Sequence, residues 1–102
     1  MKPVAFHRLA ERDVENAAFH YETLSTGLGQ KFTEVAFTLV NDIANSPGLG
    51  SPYGRNFRFR VIRRFPYVIF YREYDDLIWI VAIVHNRRRP KTWAHRDRLR
   101  NS

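Results

Sequence analysis

The chain is predicted to be an α+β fold: strand, α-helical hairpin, then a three-stranded antiparallel meander (β-α-α-β-β-β), with room for a short C-terminal helix. Three features carry this reading. Apolar residues recur at three- and four-residue steps through two consecutive stretches of the first half. A stretch rich in Pro and Gly interrupts the pattern from Ser46 to Gly54. Beyond it the apolar pattern has period two or is continuous and β-branched.

Pro3 to Phe6 reads as a short opening strand, where a proline is acceptable at the first position. From Leu9 the set Ala10, Val14, Ala17, Ala18, Tyr21 and Leu24 marks one face of an amphipathic helix. Glu11, Asp13 and Glu15 crowd its first turns, where the helix dipole favours acids. Gly27 supplies a stop, and Leu28, Phe32, Val35, Ala36, Leu39, Val40 and Ile43 form a second stripe directly after it. Two helices joined so tightly must fold back on each other. Ser46 to Gly54 is read as a loop, because its prolines and glycines break the helical ladder.

Phe57-Arg58-Phe59-Arg60-Val61 alternates with period two, so Phe57, Phe59 and Val61 are expected on the core face and Arg58 and Arg60 on the other. Phe65-Pro66 turns the chain into the interior strand Tyr67 to Tyr71. Asp75-Asp76 connects it to Leu77–Val84, a run apolar on both faces. The tail from Arg87 to Trp93 leaves the sheet, and Trp93 to Arg100 has length for a last helical turn or two. The helices should cover one sheet face and leave the arginines on the other.

With 102 residues, 44% hydrophobic and 15% aromatic, residues 1–102 suit a single domain with one core. The absence of cysteine excludes disulfides and thiolate metal sites. The N-terminus has no signal-like apolar segment and Leu77–Val84 is too short to span a bilayer, so a cytoplasmic location is expected. Net charge is +7 and strongly one-sided. Residues 1–54 carry four basic against six acidic side chains, net −2; residues 55–102 carry thirteen against four, net +9. Such segregation points to a polyanion or an acidic protein as partner.

His7, His20, His85 and His95 lie in separate elements without ligand spacing, so no metal is expected, and no cofactor motif stands out. Gly48-Leu49-Gly50 follows a helix instead of preceding one, the wrong context for a phosphate cradle. Ser25, Ser46 and Ser51 have no histidine and acid nearby to activate them. His85 ends the most apolar strand beside Asn86-Arg87-Arg88-Arg89. Its imidazole could act as base toward a ribose hydroxyl while guanidiniums hold the phosphate, or it could simply hydrogen-bond at a strand end. The strongest constellation is Arg58, Arg60, Arg63, Arg64, Arg72 and Arg87–Arg89, interleaved with Tyr67, Tyr71, Tyr74 and Trp79. Guanidinium forks suit phosphate or carboxylate and stack on aromatic rings, so RNA, DNA and an acidic protein all fit.

Arg63-Arg64-Phe65-Pro66-Tyr67-Val68-Ile69-Phe70-Tyr71, followed by Ile80-Val81-Ala82-Ile83-Val84-His85-Asn86-Arg87-Arg88-Arg89-Pro90-Lys91-Thr92-Trp93 behind a helical hairpin, resembles the RelE/ParE superfamily of toxins from bacterial type II toxin–antitoxin systems. The resemblance runs from about Val4 to Trp93. It implies one of two activities. RelE-like members are ribosome-dependent mRNA endonucleases that use clustered basic residues and often a late tyrosine or histidine. ParE-like members share the fold and poison DNA gyrase by binding. This chain has no lysine between Lys31 and Lys91 and no tyrosine after Tyr74, which favours the ParE-like or plasmid-stabilisation branch and a non-enzymatic action. Were it a nuclease, Arg58, Arg60, His85 and Arg87 would be the catalytic candidates.

Either class implies growth arrest and a cognate acidic antitoxin, in a toxin–antitoxin hetero-oligomer, that covers helix and sheet surfaces. Target or antitoxin contacts would fall to the arginine constellation and Trp93, with Phe19 and Phe37, which lie off the helical core stripes, as apolar anchors. A third reading is a simple basic nucleic-acid-binding domain held by phosphate contacts.

Overall fold

The computed structural model describes residues 1–87 and 93–99. Its elements follow the predicted order: β1 (Val4–Phe6), α1 (Arg8–Leu24), α2 (Leu28–Asn45), β2 (Ser51–Tyr53), β3 (Phe57–Val61), β4 (Tyr67–Glu73) and β5 (Ile78–His85). Short 3-10 turns cover Pro47–Leu49 and Ala94–Leu99. The fold is α+β, with one five-stranded sheet in the order β1-β5-β4-β3-β2. β3, β4 and β5 form the antiparallel meander, and β1 lies parallel beside β5 with Phe6 opposite Ile80.

α1 starts on His7, whose Nδ1 accepts the Leu9 N–H at 3.0 Å and so caps the first turn. The turn between helices is held by Gly27, at φ 87°, and by Glu22, whose carboxylate accepts the N–H groups of Gly27 and Gly29. A Cβ on Gly29 would stand 2.3 Å from the Ala18 carbonyl oxygen, so the helices approach backbone to backbone there. This closeness explains the small residues Ala10, Ala17 and Ala18 on α1, opposite the bulkier Phe32, Leu39 and Ile43 of α2.

The structure corrects the loop expected over Ser46–Gly54. Ser51–Tyr53 pairs antiparallel with β3 as a short edge strand, Ser51 opposite Phe59. Pro52 is tolerated because the outer side of an edge strand requires no N–H.

A second correction concerns the faces. Ile69, Tyr71, Ile78, Ile80 and Ile83 pack under the helices with Phe32 and Ile62. Val68, Phe70, Val81, Ala82 and Val84 pack on the opposite face around Trp93. Phe57 and Phe59 join that second cluster, so their core lies away from the helices. Arg58 and Arg60, opposite Tyr71 and Ile69, therefore share the helix-bearing face. Val61, expected in the core, is 61% exposed. The physical reason is that a sheet apolar on both faces needs two covers, and the C-terminal segment supplies the second through Trp93, which is 0% exposed.

Where β4 and β5 pair, the register shifts between Phe70 and Tyr71: Phe70 lies opposite Ala82 and Tyr71 opposite Ile80. Val81 is the extra residue, and both Val81 and Ala82 point to the Trp93 side. β1 ends at Phe6, leaving the outer edge of β5 open beyond Ile80. Two side chains close it. Asp13 accepts the Ile83 N–H at 3.0 Å, and Arg96 donates to the Val81 carbonyl at 3.1 Å. Arg96 also donates to Asp13 at 2.7 Å, with both side chains 9% exposed.

Candidate functional site

The arginines that the sequence groups together are separated by the fold into different environments. Arg58 is half-buried and its Nη1 donates to the Gly50 carbonyl at 2.8 Å, tying β3 to the loop before β2. The same loop is held by Tyr71, whose hydroxyl donates to the Pro47 carbonyl at 2.6 Å. Burial raises the Tyr71 phenol above its ordinary value of 10.0, against the opposing pull of a Gly50 backbone hydrogen bond and the Arg58 and Arg60 charges. Tyr71 therefore stays a neutral donor. Arg58 serves this anchored corner.

Arg60 lies one turn of the pleat further along β3, facing α2. Between the two elements runs a groove of about 610 Å³. Arg60, Arg63, Arg64 and Lys31 supply its cations, Glu34 and Asp42 its acids. Val35 and Leu39 of α2 give it an apolar side. Nη1 of Arg60 is buried and makes no hydrogen bond. Arg63 and Arg64 are exposed on the turn from β3 to β4, which is closed by Ile62 N–H to Tyr67 O and Tyr67 N–H to Phe65 O. Arg64 holds φ 69°, a left-handed conformation that a non-glycine residue adopts at some cost.

Arg72 is half-buried on β4, its guanidinium 4.6 Å from the Tyr74 ring centroid. His85 ends β5 in a separate, smaller cavity of about 140 Å³ with Asn16, Ala17 and Tyr67. Its ring stands edge-on to Tyr67 at 5.5 Å, and its Nδ1 accepts the Arg87 backbone N–H at 3.1 Å. Arg87 is exposed. His85 and Arg60 thus line different cavities, and Arg58 lines neither of the two. Arg88 and Arg89 lie outside the described residues.

Trp93 has no exposed surface: its ring lies 4.3 Å from Phe70 and 5.2 Å from Phe57 in the second core. Phe19 is 74% exposed on α1, and Phe37, 47% exposed on α2, leans on Phe6 of β1. No group of three or more metal-ligating side chains occurs among the described residues. No described helix is long and apolar enough to cross a membrane.

Sequence reasoning missed Lys31, Glu34 and Asp42 as groove residues and Asp13 and Arg96 as a buried pair. Lys31, Glu34 and Asp42 lie on the polar side of the α2 stripe, so only the position of β3 gives them a role. Asp13 reads as an ordinary acid of a first helical turn, and its partner is 83 residues away.

Comparison with known proteins converges on one family. Residues 4–90 match the family model described as the ParE toxin of the type II toxin–antitoxin system parDE. The match ends before Trp93 and Arg96. No curated protein matches at the level of sequence. A solved chain of the chromosomal ParDE toxin–antitoxin system from P. aeruginosa superposes with a TM-score of 0.65 at 22% identity, over 83% of this chain and 96% of that one. That likeness concerns the fold, and the family match covers most of the sequence. The chain belongs to the ParE toxin family of type II toxin–antitoxin systems.

Proposed function

We propose that this protein is the toxic component of a toxin–antitoxin pair, neutralised by a cognate acidic antitoxin, and that the free toxin binds and poisons DNA gyrase in the cytoplasm. The observation that carries the choice of a binding mechanism over RNA cleavage is the separation of His85 from Arg60 into different cavities. A general base must reach the proton it removes while the cations hold the phosphate nearby. With Nδ1 accepting the Arg87 N–H, a neutral His85 carries its proton on Nε2 and has no spare lone pair there. Arg58 is already engaged with Gly50. What remains is a basic, partly apolar surface suited to holding macromolecules.

Induced expression, followed in parallel by gyrase supercoiling and mRNA integrity on translating ribosomes, tests this reading. Growth arrest with lost supercoiling and intact mRNA is expected, and co-expressed antitoxin should relieve it. Translation-dependent cuts with normal supercoiling would replace it with the endonuclease reading. His85→Ala should leave toxicity unchanged, since the imidazole has no catalytic task in this scheme. Salt-sensitive binding to naked DNA or RNA without growth arrest would identify a simple nucleic-acid-binding domain instead.

A further inference from the structure

We propose that the outer edge of β5 from Val81 to His85 is a masked self-association surface: freed of its covering side chains, it pairs antiparallel with the same edge of a second copy of this chain. β1 lies beside β5 only from Ile78 to Ile80, so the groups that follow on that edge have no neighbouring strand. What meets them is a pair of side chains. The Ile83 N–H donates to Asp13 at 3.0 Å and the Val81 carbonyl accepts from Arg96 at 3.1 Å, with Arg96 and Asp13 joined to each other at 2.7 Å. An open edge presents a row of unpaired N–H and C=O groups to an incoming strand, and covering that row prevents edge-to-edge pairing. The Asp13–Arg96 pair satisfies the edge as a strand would, without offering a further edge of its own.

The composition of β5 selects the occupant. Ile78–His85 contains no proline or glycine, has no formal charge while its histidine is neutral, and is rich in β-branched residues. That combination is the signature of segments that pair with identical copies of themselves. With Ile83 opposite Ile83 of the second copy, the two residues exchange N–H and C=O. The Val81 carbonyl then meets the second copy's His85 N–H, which strand alternation places on the same edge as the Ile83 N–H. The result is one sheet continuous across both copies. The cover is small: Arg96 reaches the edge from Ala94–Leu99, a short 3-10 stretch that follows Trp93. A net charge of +7 on each copy opposes the pairing, so screening by salt favours it. A contact between the acidic first half of one copy and the basic second half of another would have the opposite salt dependence.

Sedimentation velocity of the full chain over a concentration series tests this. Wild type is compared with the double variants Asp13→Ala with Arg96→Met and Asp13→Asn with Arg96→Met, each checked for folding by circular dichroism. The alanine variant uncovers both edge groups without leaving a buried charge unpaired, and should dimerise at concentrations about tenfold or more below those that wild type requires. The asparagine variant keeps an amide oxygen for the Ile83 N–H and should fall between the two; it carries the test if the alanine variant does not fold. Added salt should strengthen the dimer. Amide hydrogen exchange at His85 should be slower in the dimer than in the monomer, because its N–H becomes part of a ladder. A folded double variant that associates no more readily than wild type overturns the proposal. So does a dimer that salt weakens, or one in which the His85 amide exchanges as fast as in the monomer, since either outcome puts the contact elsewhere on the molecule.

Discussion

Arg96 and Arg60 carry the same side chain into opposite situations. Arg96 is buried against Asp13 at 2.7 Å and donates to the Val81 carbonyl, so it completes an edge of the sheet. Arg60 faces a groove with a buried nitrogen that nothing satisfies. The first is committed to the fold and the second is not. Arginine content alone therefore overstates the binding surface; what each guanidinium touches decides its role.

The largest effect should come from breaking the committed corner. Arg96→Met leaves the Asp13 carboxylate with only the Ile83 N–H, and uncompensated burial of one charge should cost about 3–5 kcal/mol in urea unfolding. The double variant Asp13→Asn with Arg96→Met should recover much of that loss, since the unpaired charge is then gone. A single-variant loss within about 0.5 kcal/mol, the range of ordinary surface changes, would show that the pair does not anchor the C-terminal segment.

A smaller effect should follow from pH at the same corner. Burial first, then the positive charges of Arg96 and Arg8, lower the His7 pKa from its ordinary 6.5, with Asp13 opposing. The unfolded chain therefore takes up this proton at higher pH than the folded one. The contribution of neutral His7 is fully present above 6.5 and is lost as pH falls through the lower, folded-state value. Protonation also removes the Nδ1 acceptor that caps α1. Chemical denaturation between about pH 7 and pH 5 should show stability declining, and His7→Asn, a good N-cap without a titrating ring, should flatten that part of the profile. An unaltered slope would remove His7 from the account.

The smallest effect belongs to the exposed arginines. Replacing Arg63 and Arg64 together by Gln should change the unfolding free energy by no more than about 0.5 kcal/mol per site, because both are exposed. A larger destabilisation would place them with Arg96 among the structural arginines.

Much of the fold is legible along the chain because its signals are local. The stripe from Leu28 to Ile43, the Gly27 stop and the β-branched run of β4 each depend on near neighbours, and all appear where expected. β2 was hidden because a proline-bearing edge strand looks like a loop until β3 lies beside it. The site was less legible. Arg60 and His85 both lie on strands near basic neighbours, yet only the placement of α1 and α2 puts them in different cavities.

By itself the sequence determined the element order, the charge asymmetry and family membership over residues 4–90, since these reside in periodicity, composition and motif order. The tertiary structure alone decided which face each residue serves. Strand alternation separates Phe57 and Phe59 from Arg58 and Arg60 without saying which set meets the helices, and continuous apolarity in β5 leaves both faces open. Trp93 on the far side, the extra residue Val81 and the Asp13–Arg96 pair resolve that ambiguity through contacts between segments distant in sequence.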